Sequence, residues 1–117
     1  MGYDLYITRA PSWLETEEYP ISESEWKVVV AADPSLSVSE DFWFERSKGE
    51  SVERIKAVIW DGHPERVPFW FYDGAISAKN PDDETIEKMV EIAEKLRAHV
   101  LGEEDEEHLG GGQVRQP

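Results

Sequence analysis

The dipeptide Asp73-Gly74, set between the apolar runs Phe69-Trp70-Phe71-Tyr72 and Ala75-Ile76-Ser77-Ala78, constrains this chain more than any other feature. A two-residue type I′ turn requires two left-handed residues, and Asp-Gly supplies them with little strain, so the two runs predict a tight β-hairpin. The turn also sets the register: Tyr72 faces Ala75, Phe71 faces Ile76, Trp70 faces Ser77 and Phe69 faces Ala78. Phe69, Phe71, Ile76 and Ala78 then share one side of the sheet, and Trp70 and Tyr72 lie on the other.

Around this hairpin the pattern predicts an α+β domain, a small antiparallel sheet packed by two helices. Residues 3–8 alternate as a half-buried strand, and residues 9–20 read as a loop anchored by Trp13. Ser22 and Glu25 form a capping-box pair, with Ile21 and Trp26 as its hydrophobic staple and Val29 and Val30 extending the stripe, and Asp33-Pro34 ends this first helix. Three strand pieces are predicted at 36–38, 41–45 and 52–60, followed by a loop over 61–68. Asn80 then caps a second helix that begins at Pro81 and ends near Arg97. Its core stripe is Ile86, Met89, Val90, Ala93 and Leu96, with Glu84, Lys88, Glu91 and Lys95 facing solvent. A short strand at 98–101 completes a domain spanning 1–102, and residues 103–117, with their acidic run and triple glycine, read as a mobile tail.

The chain has 117 residues and no cysteine, which suits one domain in a reducing cytoplasm and excludes disulfides, thiolate nucleophiles and cysteine-based zinc sites. No secretory signal or membrane-length apolar run is visible, and Tyr6 stands where a myristoylation motif needs Ser or Thr after Gly2. With 26 acidic and 12 basic residues the formal charge is −14, a field that disfavours nucleic acid and anionic membranes and attracts basic proteins. Removing the five consecutive carboxylates at 103–107 leaves −9, since −14 plus 5 is −9, so the body itself is acidic.

Catalytic and cofactor signals are absent. His63, His99 and His108 have no spacing that places two on one helix face, so no metal site is predicted. No G-x-S-x-G, S-x-x-K or glycine-rich phosphate loop occurs, and the acidic run lacks the ligand pattern of a calcium loop. A non-enzymatic protein with no cofactor is the resulting expectation.

The aromatic side chains offer a binding surface instead. Alternation places Trp43 opposite Phe42 and Phe44, which suggests that Trp43 joins Trp70 and Tyr72 on the second face of the sheet, with Trp60 added if Ile55, Ala57 and Ile59 face the core. Trp43, Trp70 and Tyr72, rimmed by Asp41 and Glu45, are the candidate partner-binding residues. The alternative is that the 9–20 loop or a helix covers this face and makes it a second core.

The stretch GYDLYITRA with Trp13, the segment Ile21-Ser22 to Trp26, the run Trp70-Phe71-Tyr72-Asp73-Gly74 and Lys79-Asn80-Pro81-Asp82 together resemble a family of small uncharacterised bacterial proteins of the polymorphic-toxin immunity type. The resemblance implies an α+β fold, no catalytic residues, and docking on a basic toxin, often a nuclease. Two other readings stand beside it: a small-molecule or enzymatic domain with a pocket between sheet and helix that uses His63 or His99, and a subunit of a larger assembly, a homodimer included.

Overall fold

The computed structural model describes residues 3–117, so Gly2 and its acylation reading lie outside the described residues. The strands are β1 (Asp4–Thr8), β2 (Leu36–Lys48), β3 (Ser51–Trp60), β4 (Val67–Tyr72), β5 (Ala75–Lys79), β6 (His99–Leu101), β7 (Glu107–Gly110) and β8 (Gln113–Arg115). They form one antiparallel sheet in the order β2-β3-β4-β5-β1-β6-β7-β8, with β2 and β8 at its edges. Helices α1 (Glu23–Ala32) and α2 (Asp83–Lys95) pack on it, and a short 3₁₀ helix spans Trp13–Glu18. The α+β class is therefore as expected, with a larger sheet.

The central hairpin has the predicted register, pairing Tyr72 with Ala75, Phe71 with Ile76 and Trp70 with Ser77. Asp73 and Gly74 both take positive φ, 54° and 77°, as a type I′ turn requires. Gly74 is doubly constrained, because a Cβ there would lie 2.8 Å from the Cα of Pro20. Gly74→Ala is expected to cost roughly 1–3 kcal/mol in urea unfolding from the left-handed backbone alone, and more if Pro20 cannot move.

One face of the sheet carries the main core. Leu5, Ile7, Phe69, Ile76, Ala78 and Val100 from the strands meet Ile21, Trp26 and Val29 from α1 and its lead-in, and Met89, Ile92, Ala93 and Leu96 from α2. The α1 start is built as its sequence predicts: Ser22 Oγ accepts the Glu25 N–H, the Glu25 carboxylate accepts the Ser22 N–H, and Ile21 and Trp26 are buried in the staple. Arg9 then joins the two helices, donating to the Leu96 carbonyl at 2.7 Å and to Glu25 at 2.6 Å.

Four expectations need correction. The second helix is capped by Asp82, whose carboxylate accepts the Thr85 N–H, and Asn80 instead sits at φ 46° and donates its N–H to the Tyr3 carbonyl. Asn80 is held in a left-handed turn and Asp82 presents the carboxylate that accepts the Thr85 N–H, so the cap falls two residues on. Lys88 is 9% exposed rather than solvent-facing, because its ammonium reaches Asp33 at 2.6 Å.

The pieces at 36–38 and 41–45 are one strand, β2, joined through a bulge. Finally, the segment read as a tail is ordered. Glu107–Gly110 and Gln113–Arg115 form a hairpin joined to β6, turning at Gly111 and Gly112 with φ 62° and 77°. The acidic run before it is tied down by hydrogen bonds: Trp13 Nε1 donates to the Glu103 carbonyl at 2.8 Å, the Trp13 N–H to Asp105 at 3.0 Å, and the Tyr3 hydroxyl to the buried Glu106.

Candidate functional site

The β2 bulge decides where the predicted site residues lie. Val38 pairs with Val58 and Trp43 with Lys56, so β2 advances five residues while β3 advances two, and three extra residues are absorbed. An odd number reverses the inward and outward alternation. Ser39 stabilises the irregularity, its Oγ accepting the N–H groups of Asp41 and Phe42 at 3.1 and 3.0 Å.

Beyond the bulge Phe44, not Trp43, points to the second face. Its ring lies 5.2 Å from that of Trp70 and 5.8 Å from that of Tyr72. Arg46, two residues on, reaches the same side: it pairs with Asp73 through two nitrogens, contacts Glu53 at 3.4 Å and lies 5.2 Å from the Tyr72 ring centroid. Strands two apart in a flat sheet are separated by about 10 Å. The β2–β3 ribbon, whose pairing to β4 is confined to Val58, Ile59 and Trp60, thus sends Phe44 and Arg46 across β3 to the hairpin. The Arg46 guanidinium holds the Asp73 carboxyl below the usual range against the opposing effect of burial.

The second face is thus a second core. Ile55, Ala57 and Ile59 are buried on it, Trp70 and Tyr72 are half-buried, and Trp60 belongs to the main core instead. At its other end Trp13 stacks on Tyr6 at 5.4 Å. The expectation that Trp43, Trp70 and Tyr72 share one exposed patch is overturned in favour of the covered alternative, and the condition for adding Trp60, that Ile55, Ala57 and Ile59 face the main core, is not met.

Trp43, Asp41 and Glu45 occupy different ground. All three are exposed, and the Trp43 ring carries the Arg54 guanidinium 4.1 Å from its centroid. Val38, Phe42 and Trp43 are 55, 51 and 42% exposed, a concentration of large apolar surface on an edge strand. Beside it runs a groove of about 540 Å³ between α1 and the ribbon, lined by Trp26, Val30, Val38, Val58 and Phe71 with Lys27, Arg54 and Lys56. The sequence signal for this groove was present in the staple residue Trp26 and the apolar β3.

The histidines do not meet there. His99 Nε2 donates to the Ala10 carbonyl at 2.6 Å, and His108 lies 3.1 Å from Glu106. His63 sits against Trp60, its Nε2 2.7 Å from Asp82 while its Nδ1 accepts the Glu65 N–H at 3.0 Å, which places the proton of the neutral ring on Nε2. The Asp82 hydrogen bond raises its pKa above 6.5, burial opposes this, and Glu84 and Glu65 add to the rise. A raised folded pKa contributes stability below the unfolded value that is lost as pH rises through the folded one. His63→Gln is therefore expected to flatten the decline in melting temperature on going from about pH 6 to pH 8; an equally steep decline in the variant would contradict this.

Among the described residues no group of three or more His, Asp or Glu is placed to hold a metal ion, and no helix is long and apolar enough to cross a membrane. No protein-family model, curated protein or solved structure matches the chain.

Proposed function

We propose that this chain is a non-catalytic binding protein, of the immunity or inhibitor kind its sequence resembles, that docks a basic protein in the cytoplasm through the outer rim of β2. The observation that carries this reading is the exposure of Val38 and Trp43 on one face of an edge strand, with Phe42 also exposed beside them in the chain, in a molecule of formal charge −14. Trp43 is the aromatic anchor, and Asp41 and Glu45 supply carboxylates beside it. Trp70 and Tyr72 support this rim from the second core without contacting the partner. The same negative charge opposes pairing of two copies through this rim.

Capture from a lysate of the source cells tests the proposal. Immobilised wild-type chain is expected to retain a basic protein that elevated salt releases, and Trp43→Ser to lose it. Asp41→Asn with Glu45→Gln is expected to slow association several-fold at low salt and little at high salt. Retention of the same protein by Trp43→Ser, or no retention by wild type, contradicts the proposal.

A further inference from the structure

We infer that the groove between α1 and the β2–β3 ribbon is a binding site for a medium-chain aliphatic carboxylate, with the tail on its apolar floor and the head on Arg54. The floor is Trp26, Val30, Val58 and Phe71, and the volume of about 540 Å³ falls within the range of small-molecule pockets. Cations are concentrated here: overall, acidic residues outnumber basic ones 26 to 12, yet the lining holds Lys27, Arg54 and Lys56 against Glu23 and Glu53, with Glu40 bonded to Lys56 and Glu45 across the ribbon from Arg54.

Most of these charges already have partners. Lys27 pairs with Glu23 at 3.5 Å, Lys56 with Glu40 at 2.8 Å, and Glu53 with Arg46 at 3.4 Å. Among the described residues, Arg54 has no carboxylate within salt-bridge distance, and its guanidinium is held over Trp43. One exposed cation without a carboxylate partner, beside an apolar floor, matches a monoanion with an aliphatic tail. A dianionic phosphate would add charge beside Glu23, Glu40 and Glu53 without a second free cation to meet it. A guanidinium oriented by an aromatic ring offers a carboxylate a planar pair of donors.

The groove borders the proposed docking rim through Val38 and the Trp43 ring under Arg54, but it is tested with a small ligand and no protein partner, so each proposal can fail alone. The test titrates decanoate, below its micellar concentration, into the full chain, followed by amide chemical shifts and tryptophan fluorescence, with decanol and decyltrimethylammonium as comparisons. Saturable one-site shifts at Trp26, Val30 and Val58 are expected, with decanoate binding at least about tenfold tighter than the cationic amphiphile. Arg54→Gln should weaken decanoate about tenfold while leaving decanol unchanged. Ala31→Trp, at an exposed α1 position on the groove wall, should block all three with the amide spectrum elsewhere preserved. The inference is overturned by equal affinity for the three amphiphiles, by decanoate affinity indifferent to Arg54→Gln, or by an absence of saturable shifts at the groove.

Discussion

Lys88→Ala is expected to destabilise the fold by about 3–5 kcal/mol, because it leaves a carboxylate in the interior without its cation. Lys88 and Asp33 are 9 and 8% exposed and meet at 2.6 Å, joining α2 to the end of α1. Asp33 also accepts the Ser35 N–H and hydroxyl at 2.9 and 2.6 Å, and Lys88 reaches the more exposed Glu91 at 2.8 Å. Burial by itself would raise the Asp33 pKa, but the Lys88 ammonium and the Ser35 donors outweigh it and hold the carboxyl well below its usual range. A depressed folded pKa gives stability that is present above the unfolded value, about 3.8, and is lost as pH falls through the folded one. Acid unfolding of Lys88→Ala should therefore begin at higher pH than that of wild type. Asp33→Asn with Lys88→Met removes both charges, keeps an acceptor for Ser35, and is expected to recover most of the loss. Urea unfolding of wild type, Lys88→Ala and the double variant checks this, and a cost below about 1 kcal/mol for Lys88→Ala would show the pair to be screened by solvent.

Trp70→Ser is expected to cost roughly 2–4 kcal/mol, whereas Trp43→Ser should cost no more than about 1 kcal/mol. The two tryptophans differ in what they touch. Trp70 is half-buried beneath the Phe44 ring, in the cluster where Arg46 pairs with Asp73, and truncating it opens a cavity beside Phe44 and Tyr72. Trp43 is 42% exposed at a sheet edge and carries the Arg54 guanidinium, an interaction of about 0.5–1 kcal/mol at a surface site. Thermal unfolding separates the cases: a large drop for Trp43→Ser with a small one for Trp70→Ser would mean that the second face is open and the rim is core.

What the sequence revealed about this fold depended on how local each signal was. The Asp73-Gly74 turn and the Ser22/Glu25 capping box are closed within a few residues, and both form as their chemistry requires. The bulge in β2 is set by pairing with β3 and by Ser39 bonding two backbone N–H groups, so nothing in the alternation of Phe42, Trp43 and Phe44 reveals that the strand changes faces. That single shift separated Trp43 from Trp70 and Tyr72. The ordered segment 107–115 was legible in part, because Gly111-Gly112 flanked by His108 and Val114 is the same kind of turn signal as Asp73-Gly74. Its acidic approach was not, since Glu106 is ordered by Tyr3 from the far end of the chain, a contact no local pattern announces.

The position of the binding surface is tested most directly by measuring affinity for the captured basic protein with two variants, Trp43→Ser and Trp70→Phe, the second chosen to keep the aromatic core filled. A β2-rim interface predicts a loss of at least about 2 kcal/mol, some thirtyfold in Kd, for Trp43→Ser and an unchanged Kd for Trp70→Phe. Full affinity in Trp43→Ser, with the loss falling on Trp70→Phe, would instead place the partner on the second face and contradict the assignment of binding to Trp43, Asp41 and Glu45.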